Sequence, residues 1–277
     1  MRVAAVQSRG DMEFQLQGKT AFISGSSAGI GYAIASRLAD EGARVIVNGR
    51  DAARVDSAVT RLRRAHPGSK VVGLVADFGD PEAVATLLDA LDEIGEIDIL
   101  VNNVGLFGLA TFESIDDDEW ARYFDVNVMS GVRLSRRLLG GMVERGWGRV
   151  IFISSESGVN VPADMVHYGV TKAAMLALGN ALAKRTRGSA VTVNTVLGGP
   201  TYSDGVAAAV TAIAESQSVP VDSMKAAIMG QNGTTLLERF ITPTEIANLV
   251  AYIASPLASA TNGAAIRADG GVLTGIL

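Results

Sequence analysis

Short apolar runs alternate along this chain with longer stretches in which apolar residues recur at helical spacing. The short runs are apolar almost without interruption, which is typical of parallel strands that are covered on both faces. We therefore predict strands over residues 19–24, 44–48, 70–76, 97–103, 149–155 and 190–196, with a last short strand near 264–268.

Between these runs, apolar positions three and four residues apart predict amphipathic helices. The helical stretches cover residues 29–41, 52–65, 81–94, 117–145, 166–186 and 243–254. Regular alternation of strands and helices predicts an α/β fold, with one doubly wound parallel sheet and helices on both of its faces. The crossovers between parallel strands are expected to be right-handed.

A single domain is expected to span residues 12–277. Residues 1–11 precede the regular pattern. They are either a flexible N-terminal extension or the result of an alternative translation start. Residues 198–240 are the least regular part of the chain and are too long for a tight connection. Because long excursions near strand ends often carry function, we expect this segment to form a substrate loop.

The composition narrows the classes of function. The chain has 277 residues, of which 48% are hydrophobic and 19% charged, with a net charge of −5. These values are typical of a compact globular protein, and without a basic stripe we expect no nucleic-acid partner. The chain contains no apolar run of about 18 residues and no apolar signal-peptide core, so we expect a cytoplasmic protein without a membrane partner.

Metal and thiol chemistry have little support in the sequence. The chain has no cysteine and only two histidines, His66 and His167, which lie far apart. The lack of cysteine excludes disulfides, thiol catalysis and thiolate zinc sites. No ligand pattern predicts a metal, although a carboxylate site for magnesium stays open.

The segment "ISGSSAGIG" (23–31) joins the first predicted strand to the first helix. Gly25, Gly29 and Gly31 allow a tight turn and let a bound phosphate approach the backbone closely. The helix N-terminus adds free N–H groups and a positive dipole. Alone, such a turn is also compatible with a plain connection, but its place between strand and helix favours a site for the pyrophosphate of a dinucleotide.

The end of the second strand indicates which dinucleotide binds. An acidic residue there favours NAD, whereas a nearby arginine accommodates the 2′-phosphate of NADP. In "NGRD", Gly49 stands where the acid is expected, Arg50 follows it, and Asp51 comes late enough to cap the next helix. The pattern favours NADP(H) over NAD(H). Alternatively, Arg50 is only a solvated surface residue.

Tyr168 and Lys172, in "HYGVTK", lie four residues apart and share one face of a predicted helix. A free tyrosine has a pKa of about 10, and a nearby ammonium group lowers that pKa because it favours the phenolate. The pair can therefore serve as a general acid or base. Alternatively, the two residues belong to an ordinary turn of buried helix, because this spacing also occurs by chance.

Polar residues at other strand ends extend this pattern. Ser155 ends the fifth predicted strand, and Asn103 ends the fourth. The carboxyl ends of parallel strands border the crevice where open α/β sheets bind ligands. Asn127 lies inside an apolar helical stretch and needs hydrogen-bond partners. The asparagines either belong to the functional site or only form hydrogen bonds to backbone groups. Glu156, the residue after Ser155, faces either the substrate or solvent.

In this order, the motifs resemble those of the short-chain dehydrogenase/reductase family, and the resemblance runs from about residue 17 to 272. The turn resembles the family's T-G-x-x-x-G-x-G with Ser24 in place of threonine, "NNVG" resembles N-N-A-G, and "ADGG" (268–271) resembles its closing D-G-G. The resemblance implies a Rossmann-like fold and a catalytic tetrad of Asn127, Ser155, Tyr168 and Lys172.

The resemblance also implies a set of cofactor-binding residues. We expect Gly25, Ser27, Gly29, Ile30, Gly31, Arg50, Asp77, Phe78, Asn103, Gly105, Tyr168, Lys172, Gly199 and Ser203. One loop departs from the family's N-x-x-x-P-G-x-x-x-T, since Gly198 replaces the proline and Ser203 replaces the threonine. This loop is expected to be less rigid or bent differently, while the tetrad is unaffected.

The implied reaction is hydride transfer between NADP(H) and a ketone or secondary alcohol, as in a carbonyl reductase or a 3-oxoacyl-thioester reductase. Ser155 would hold the substrate oxygen and Tyr168 would exchange the proton. Lys172 would lower the tyrosine pKa and bind the nicotinamide ribose, and Asn127 would fix a water. Family members of this length commonly form homotetramers, which we expect here. The alternatives are a catalytically silent NADP-binding regulator and a non-redox epimerase or dehydratase.

Overall fold

A computed structural model describes residues 13–231 and 235–276 of the chain. Residues 1–11, predicted to be an N-terminal extension, lie outside the described residues. Seven parallel strands form one sheet in the order β3-β2-β1-β4-β5-β6-β7. The strands are β1 (Thr20–Ile23), β2 (Arg44–Gly49), β3 (Val71–Val75), β4 (Ile99–Asn102), β5 (Trp147–Ser155), β6 (Ala190–Gly198) and β7 (Ala265–Ala268).

Helices connect the strands and cover both faces of the sheet. They are α1 (Gly29–Asp40), α2 (Ala52–Ala65), α3 (Pro81–Ile94), α4 (Asp117–Phe124), α5 (Ser130–Glu144), α6 (Val166–Lys184), α7 (Asp204–Ser216), α8 (Val221–Gln231) and α9 (Pro243–Ala254). The fold is the predicted doubly wound, Rossmann-like α/β sheet. None of the helices in the described ranges combines the length and apolar character needed to cross a bilayer.

The continuous apolar strands are explained by two separate layers of core. Ile23 and Val47 pack with α1, α2 and α9 on one face, while Phe22 and Ile46 pack with α3, α5 and α6 on the other. Successive strand residues point to opposite faces, and all four of these side chains are fully buried. Each strand position is therefore apolar, as the sequence pattern requires.

The single long helix predicted over residues 117–145 is interrupted. A π-helical turn spans Asp125–Met129 and separates α4 from α5, while the chain keeps running in the same helical sense. Single π-helical turns inside helices occur frequently at functional sites. This turn carries Asn127, whose side chain is almost completely buried.

Residues 198–240, the least regular part of the sequence, contain two helices that the sequence pattern did not predict. This segment contains α7 and α8, whose small apolar side chains form a separate cluster around Val210, Ala214 and Met224. Ser203 caps α7 by accepting a hydrogen bond from the Val206 N–H. The segment is rich in alanine and serine and lacks a strong amphipathic stripe, so its helical character was hidden in the sequence pattern.

The strand order places a crevice at the carboxyl edge of the sheet. The chain reverses its direction of winding between β1 and β4, which are neighbours in the sheet although far apart in sequence. The connections that leave these two strands turn to opposite faces, and open α/β sheets bind ligands at such a switch point. The glycine turn after β1 and "NNVG" at the end of β4 both lie here.

Candidate active site

The turn between β1 and α1 depends on glycine at three positions. Gly25 and Gly29 have positive φ angles of 61° and 59°, which other residues adopt only with strain. Gly31 has no space for a side chain, because a Cβ atom there would lie 2.4 Å from the Gly25 carbonyl oxygen. The backbone of α1 therefore approaches the turn as closely as a phosphate cradle requires.

Neighbouring strands brace this turn. The Asn103 side chain donates to the carbonyl oxygens of Ser24 and Gly25, both at 2.9 Å. The Ser24 hydroxyl accepts from the Asn103 N–H at 3.0 Å, and the Asn48 side chain accepts from the Gly25 N–H at 3.1 Å. The Asn103 amide, expected in the cofactor site, thus holds the turn rather than facing the crevice.

The first N–H of α1 is already paired with an anionic oxygen. The Gly29 N–H donates to the Asp204 carboxylate at 2.8 Å, and Ser203 lies beside Gly29. A phosphate oxygen would make the same kind of bond to this N-terminus. Gly199 is also confined, since a Cβ there would lie 2.4 Å from the Asp269 carbonyl oxygen. The loop after β6 therefore borders the cradle despite its altered sequence.

A cavity of about 450 Å³ extends from the glycine turn across the ends of β2 and β3. Several of the predicted cofactor residues line this cavity, namely Gly25, Ser27, Arg50, Asp77, Phe78 and Gly105. Asp77 also accepts a hydrogen bond from the Gly79 N–H at 2.9 Å, which shapes the loop after β3. Ile30 instead packs against the core beneath the turn. The cavity thus combines the backbone of the glycine turn with charged, polar and aromatic side chains.

Two arginines line this cavity next to the end of β2, beside Asp51. Gly49 leaves no room for an acidic side chain, since a Cβ there would lie 2.9 Å from the Ser27 hydroxyl. Arg50 and Arg54 line the cavity together. Arg61 donates to the Ser27 carbonyl oxygen at 3.2 Å. Arg54 was not among the residues predicted from the sequence, and it lies in the first turn of the helix that follows Arg50.

The predicted tetrad residues converge at the other end of the crevice. The Asn127 side chain pairs with both backbone groups of Leu106, at 2.6 and 3.1 Å, and donates to the Thr171 hydroxyl at 2.9 Å. The Lys172 ammonium donates to the Ile153 carbonyl oxygen at 2.9 Å. Gly105 lies between the cavity and this group of residues. It lines the cavity, and a Cβ atom there would lie 3.4 Å from the Lys172 Nζ atom.

Ser155 and Tyr168 complete the group. Ser155 ends β5 and accepts a hydrogen bond from the Ser157 N–H at 3.1 Å, which begins a 3₁₀ turn over Glu156–Gly158. The Lys172 Nζ atom lies 5.5 Å from the centre of the Tyr168 ring. The structure thus brings together one side chain from the π-helical turn, one from β5 and two from α6.

Burial dominates the electrostatics of this group. Burial raises the pKa of Tyr168 above its ordinary value, although the Ser155 hydroxyl beside it acts in the opposite direction. Burial lowers the pKa of Lys172 to about 8, and the nearby Glu156 carboxylate opposes that shift. Desolvation of the phenolate is the largest influence on the Tyr168 pKa, and the lowering expected from Lys172 stays a prediction.

Glu156 is the polar neighbour whose direction the sequence left open. Its carboxylate accepts hydrogen bonds from the hydroxyls of Ser155 and Ser157, the latter at 3.3 Å. The side chain is half-buried, and burial raises the pKa of Glu156 despite these hydrogen bonds. Glu156 therefore contacts the tetrad through Ser155, while part of its surface stays open to solvent.

His167 lies next to Tyr168 in sequence but faces away from the tetrad. Its ring packs 4.0 Å from the ring of Tyr123 and 6.2 Å from that of Trp120, measured between centroids. This packing agrees with a structural role. In the described part of the chain, no group of three or more acidic or histidine side chains is placed to hold a metal ion.

A larger cavity of about 740 Å³ lies at the opposite edge of the sheet. It is lined by residues at the amino ends of β1, β2 and β3, among them Thr20, Arg44 and Lys70. The amino edge is separated from the tetrad by the length of the strands. The smaller cavity at the carboxyl edge is therefore the candidate for cofactor binding.

Comparisons with known proteins agree with this geometry. A family model described as short chain dehydrogenase matches residues 19–213. YvaG, an uncharacterized oxidoreductase of Bacillus subtilis (strain 168), is 44% identical over 96% of this chain and 100% of its own length. The 3-oxoacyl-acyl-carrier-protein reductase FabG of Vibrio cholerae is 31% identical over 93% of this chain and 98% of its own.

A solved structure shows the same fold in complex with small molecules. L-sorbose reductase from Gluconobacter frateurii, complexed with NADPH and L-sorbose, superposes with a TM-score of 0.91 at 30% sequence identity. The match covers 96% of this chain and 100% of that one.

The buried Lys172 predicts how stability depends on pH when no cofactor is added. Its folded-state pKa of about 8 lies below the ordinary value of 10.5, so between these values the unfolded chain binds a proton that the folded chain does not. The free energy of unfolding of the parent should therefore rise relative to Lys172→Met as pH increases from 8 to 9.5, by at most about 1.4 kcal/mol per pH unit.

Urea unfolding of both proteins at several pH values measures this difference. Exposed Lys184 provides the matched control, and Lys184→Met should give a flat difference over the same range. The range stops at 9.5 because the raised pKa of Tyr168 produces an opposite trend near pH 10 and above. A flat or falling difference for Lys172→Met would show that the lysine is not strongly desolvated.

Proposed function

The chain belongs to the short-chain dehydrogenase family of oxidoreductases, and on that basis we propose that it transfers a hydride between NADP(H) and a ketone or secondary alcohol. One observation carries the proposal. Gly105 lines the cavity with the nucleotide-like lining and also borders Lys172 and Asn127. A cofactor extended along this crevice would therefore end at the predicted tetrad.

Each tetrad residue has a role that its contacts support. Ser155 would hold the substrate oxygen, and Tyr168 would give or take the proton on that oxygen. Because burial raises the pKa of Tyr168, the phenol is protonated near neutral pH, as ketone reduction requires. Lys172 supplies a positive charge beneath the ring, and Asn127 fixes the loop that carries Leu106.

The cofactor would supply the hydride, and the protein binds and orients it. The glycine turn offers backbone N–H groups for the pyrophosphate, and Arg50 with Arg54 would bind a 2′-phosphate. L-sorbose reductase, whose structure contains NADPH, supports this choice of cofactor. FabG supports an oxoacyl-thioester substrate as one option within the wider class of ketones.

A catalytically silent NADP-binding regulator is the second candidate. Such a protein would need the cofactor crevice but not the buried lysine beside a half-buried tyrosine. Burial destabilises the charged form of Lys172. A protein that only binds the cofactor has no use for such a group. We therefore place the regulator second.

The predicted homotetramer has one supporting feature. A cavity of about 570 Å³ runs between the outer sides of α5 and α6, and Leu139, Val143, Leu178 and Leu182 contribute apolar side chains to it. This surface is suited to pairing with the same helices of a second copy. Sedimentation velocity tests the prediction, and a stable monomer at micromolar concentration would refute it.

Tyr168→Phe tests the chemistry directly. The change keeps the ring but removes the proton that the reaction needs, so turnover should fall by at least about 10²–10⁴-fold. Cofactor binding and the melting temperature should change little, because loss of one hydroxyl costs only about 1 kcal/mol. Single-turnover hydride transfer paired with a thermal melt measures both. Near-parent rates in folded Tyr168→Phe would contradict the mechanism.

Arg50 and Arg54 should together set the cofactor preference. NADPH should be preferred over NADH by the parent, and Arg50→Ala/Arg54→Ala should lower kcat/KM for NADPH by about 10–100-fold, since each arginine makes a charge-assisted contact with phosphate. The value for NADH should change much less. Arg64→Ala, on the exposed side of α2, is the matched control. Equal or better use of NADH by the parent would refute the assignment.

A further inference from the structure

The Ser155 hydroxyl can donate only one hydrogen bond, and in this structure it donates that bond to the Glu156 carboxylate. Ser155 donates to one carboxylate oxygen of Glu156, while Ser157 donates to the other. Ser155 also accepts from the Ser157 N–H at 3.1 Å. To hold a ketone oxygen, Ser155 must turn its proton away from Glu156 and toward the substrate.

When the Ser155 hydroxyl turns toward the substrate, the Glu156 carboxylate loses one hydrogen bond. Glu156 is half-buried, so only part of its surface is open to water. A carboxylate that loses a hydrogen bond and is not fully rehydrated is destabilised. Substrate binding is therefore more favourable when another donor replaces the one that Ser155 withdraws.

The substrate itself can provide the replacement. Two oxygens that each lie about 2.7 Å from the Ser155 oxygen, in directions separated by a tetrahedral angle, are about 4.4 Å apart. This is the expected separation of a ketone oxygen that takes the Ser155 proton from the neighbouring Glu156 carboxylate. A hydroxyl on the carbon next to the carbonyl lies about 3 Å from the ketone oxygen in a bent conformer. Such a hydroxyl can bridge the gap and donate to Glu156, whereas a methyl group at the same place cannot.

We propose that Glu156 binds a hydroxyl group on the carbon adjacent to the reacting carbonyl, so that the site takes α-hydroxyketones and the corresponding vicinal diols. The proposal rests on the proposed hydride-transfer function and names its substrate class. In the reduction, hydride adds to the carbonyl carbon, Tyr168 protonates the oxygen, and NADPH becomes NADP⁺. The adjacent hydroxyl keeps its proton and is unchanged.

Matched ketone pairs test this selectivity. Hydroxyacetone and 2-butanone differ only by a hydroxyl in place of a methyl, as do 1-hydroxy-2-octanone and 3-nonanone. The parent should reduce the hydroxyketone of each pair with the higher kcat/KM, and Glu156→Leu should lower the ratio within each pair by about 10–100-fold. Glu156→Gln, which keeps one acceptor oxygen, should give an intermediate ratio. Glu93→Gln, an exposed carboxylate on α3, should leave the ratio unchanged.

The comparison of ratios separates binding of the hydroxyl from orientation of Ser155. If Glu156 only orients Ser155, its variants lower both rates in a pair equally and the ratio stays constant, which overturns the proposal. If Glu156→Leu does not fold, parent inhibition by 1,2-propanediol and by 2-butanol decides, with the diol expected to bind more tightly. If the parent reduces no ketone of either pair with NADPH or NADH, the proposed function fails and not only this inference.

Discussion

The site depends on the close approach of α1 to the turn after β1. This approach exists only because Gly31 has no side chain, as a Cβ atom would overlap the Gly25 carbonyl oxygen. The same turn is tied to β2 through Asn48 and to the end of β4 through Asn103. One steric constraint thus aligns three neighbouring strand ends, and the cavity and the tetrad are positioned relative to them. A rigid base of this kind is what a preorganised site requires.

The site also gathers several ionisable side chains where the surrounding protein removes much of their contact with water. Lys172 and Tyr168 are held where burial disfavours the charged form of each. The opposite charge of Glu156 helps to keep the lysine protonated, while the same carboxylate occupies the Ser155 hydroxyl. Groups of this kind destabilise a fold unless they are paired, and strongly perturbed pKa values of this kind cluster at functional sites.

Most of the fold could be predicted from the sequence, but the α7–α8 segment and the π-helical turn could not. Strands and helices with strong patterns, such as β5 and α2, were predicted nearly to their ends. The α7–α8 segment was missed because its apolar residues, among them Val210 and Met224, form only a small local cluster and give no broad apolar stripe. The π-helical turn was missed because it accompanies a tertiary contact, the pairing of Asn127 with Leu106.

By itself, the sequence determined the order of the elements, the glycine turn, the loss of the acidic ribose contact at Gly49, and the candidates for chemistry. Periodicity and steric rules act on neighbours in the chain, so they can be read from local spacing. The tertiary structure alone decided that Arg54 joins Arg50, that Asn103 braces the turn, and that burial sets the pKa values of Tyr168 and Lys172. It also decided that Glu156 faces Ser155. These properties depend on solvent exclusion and on contacts between distant segments, which no local pattern encodes.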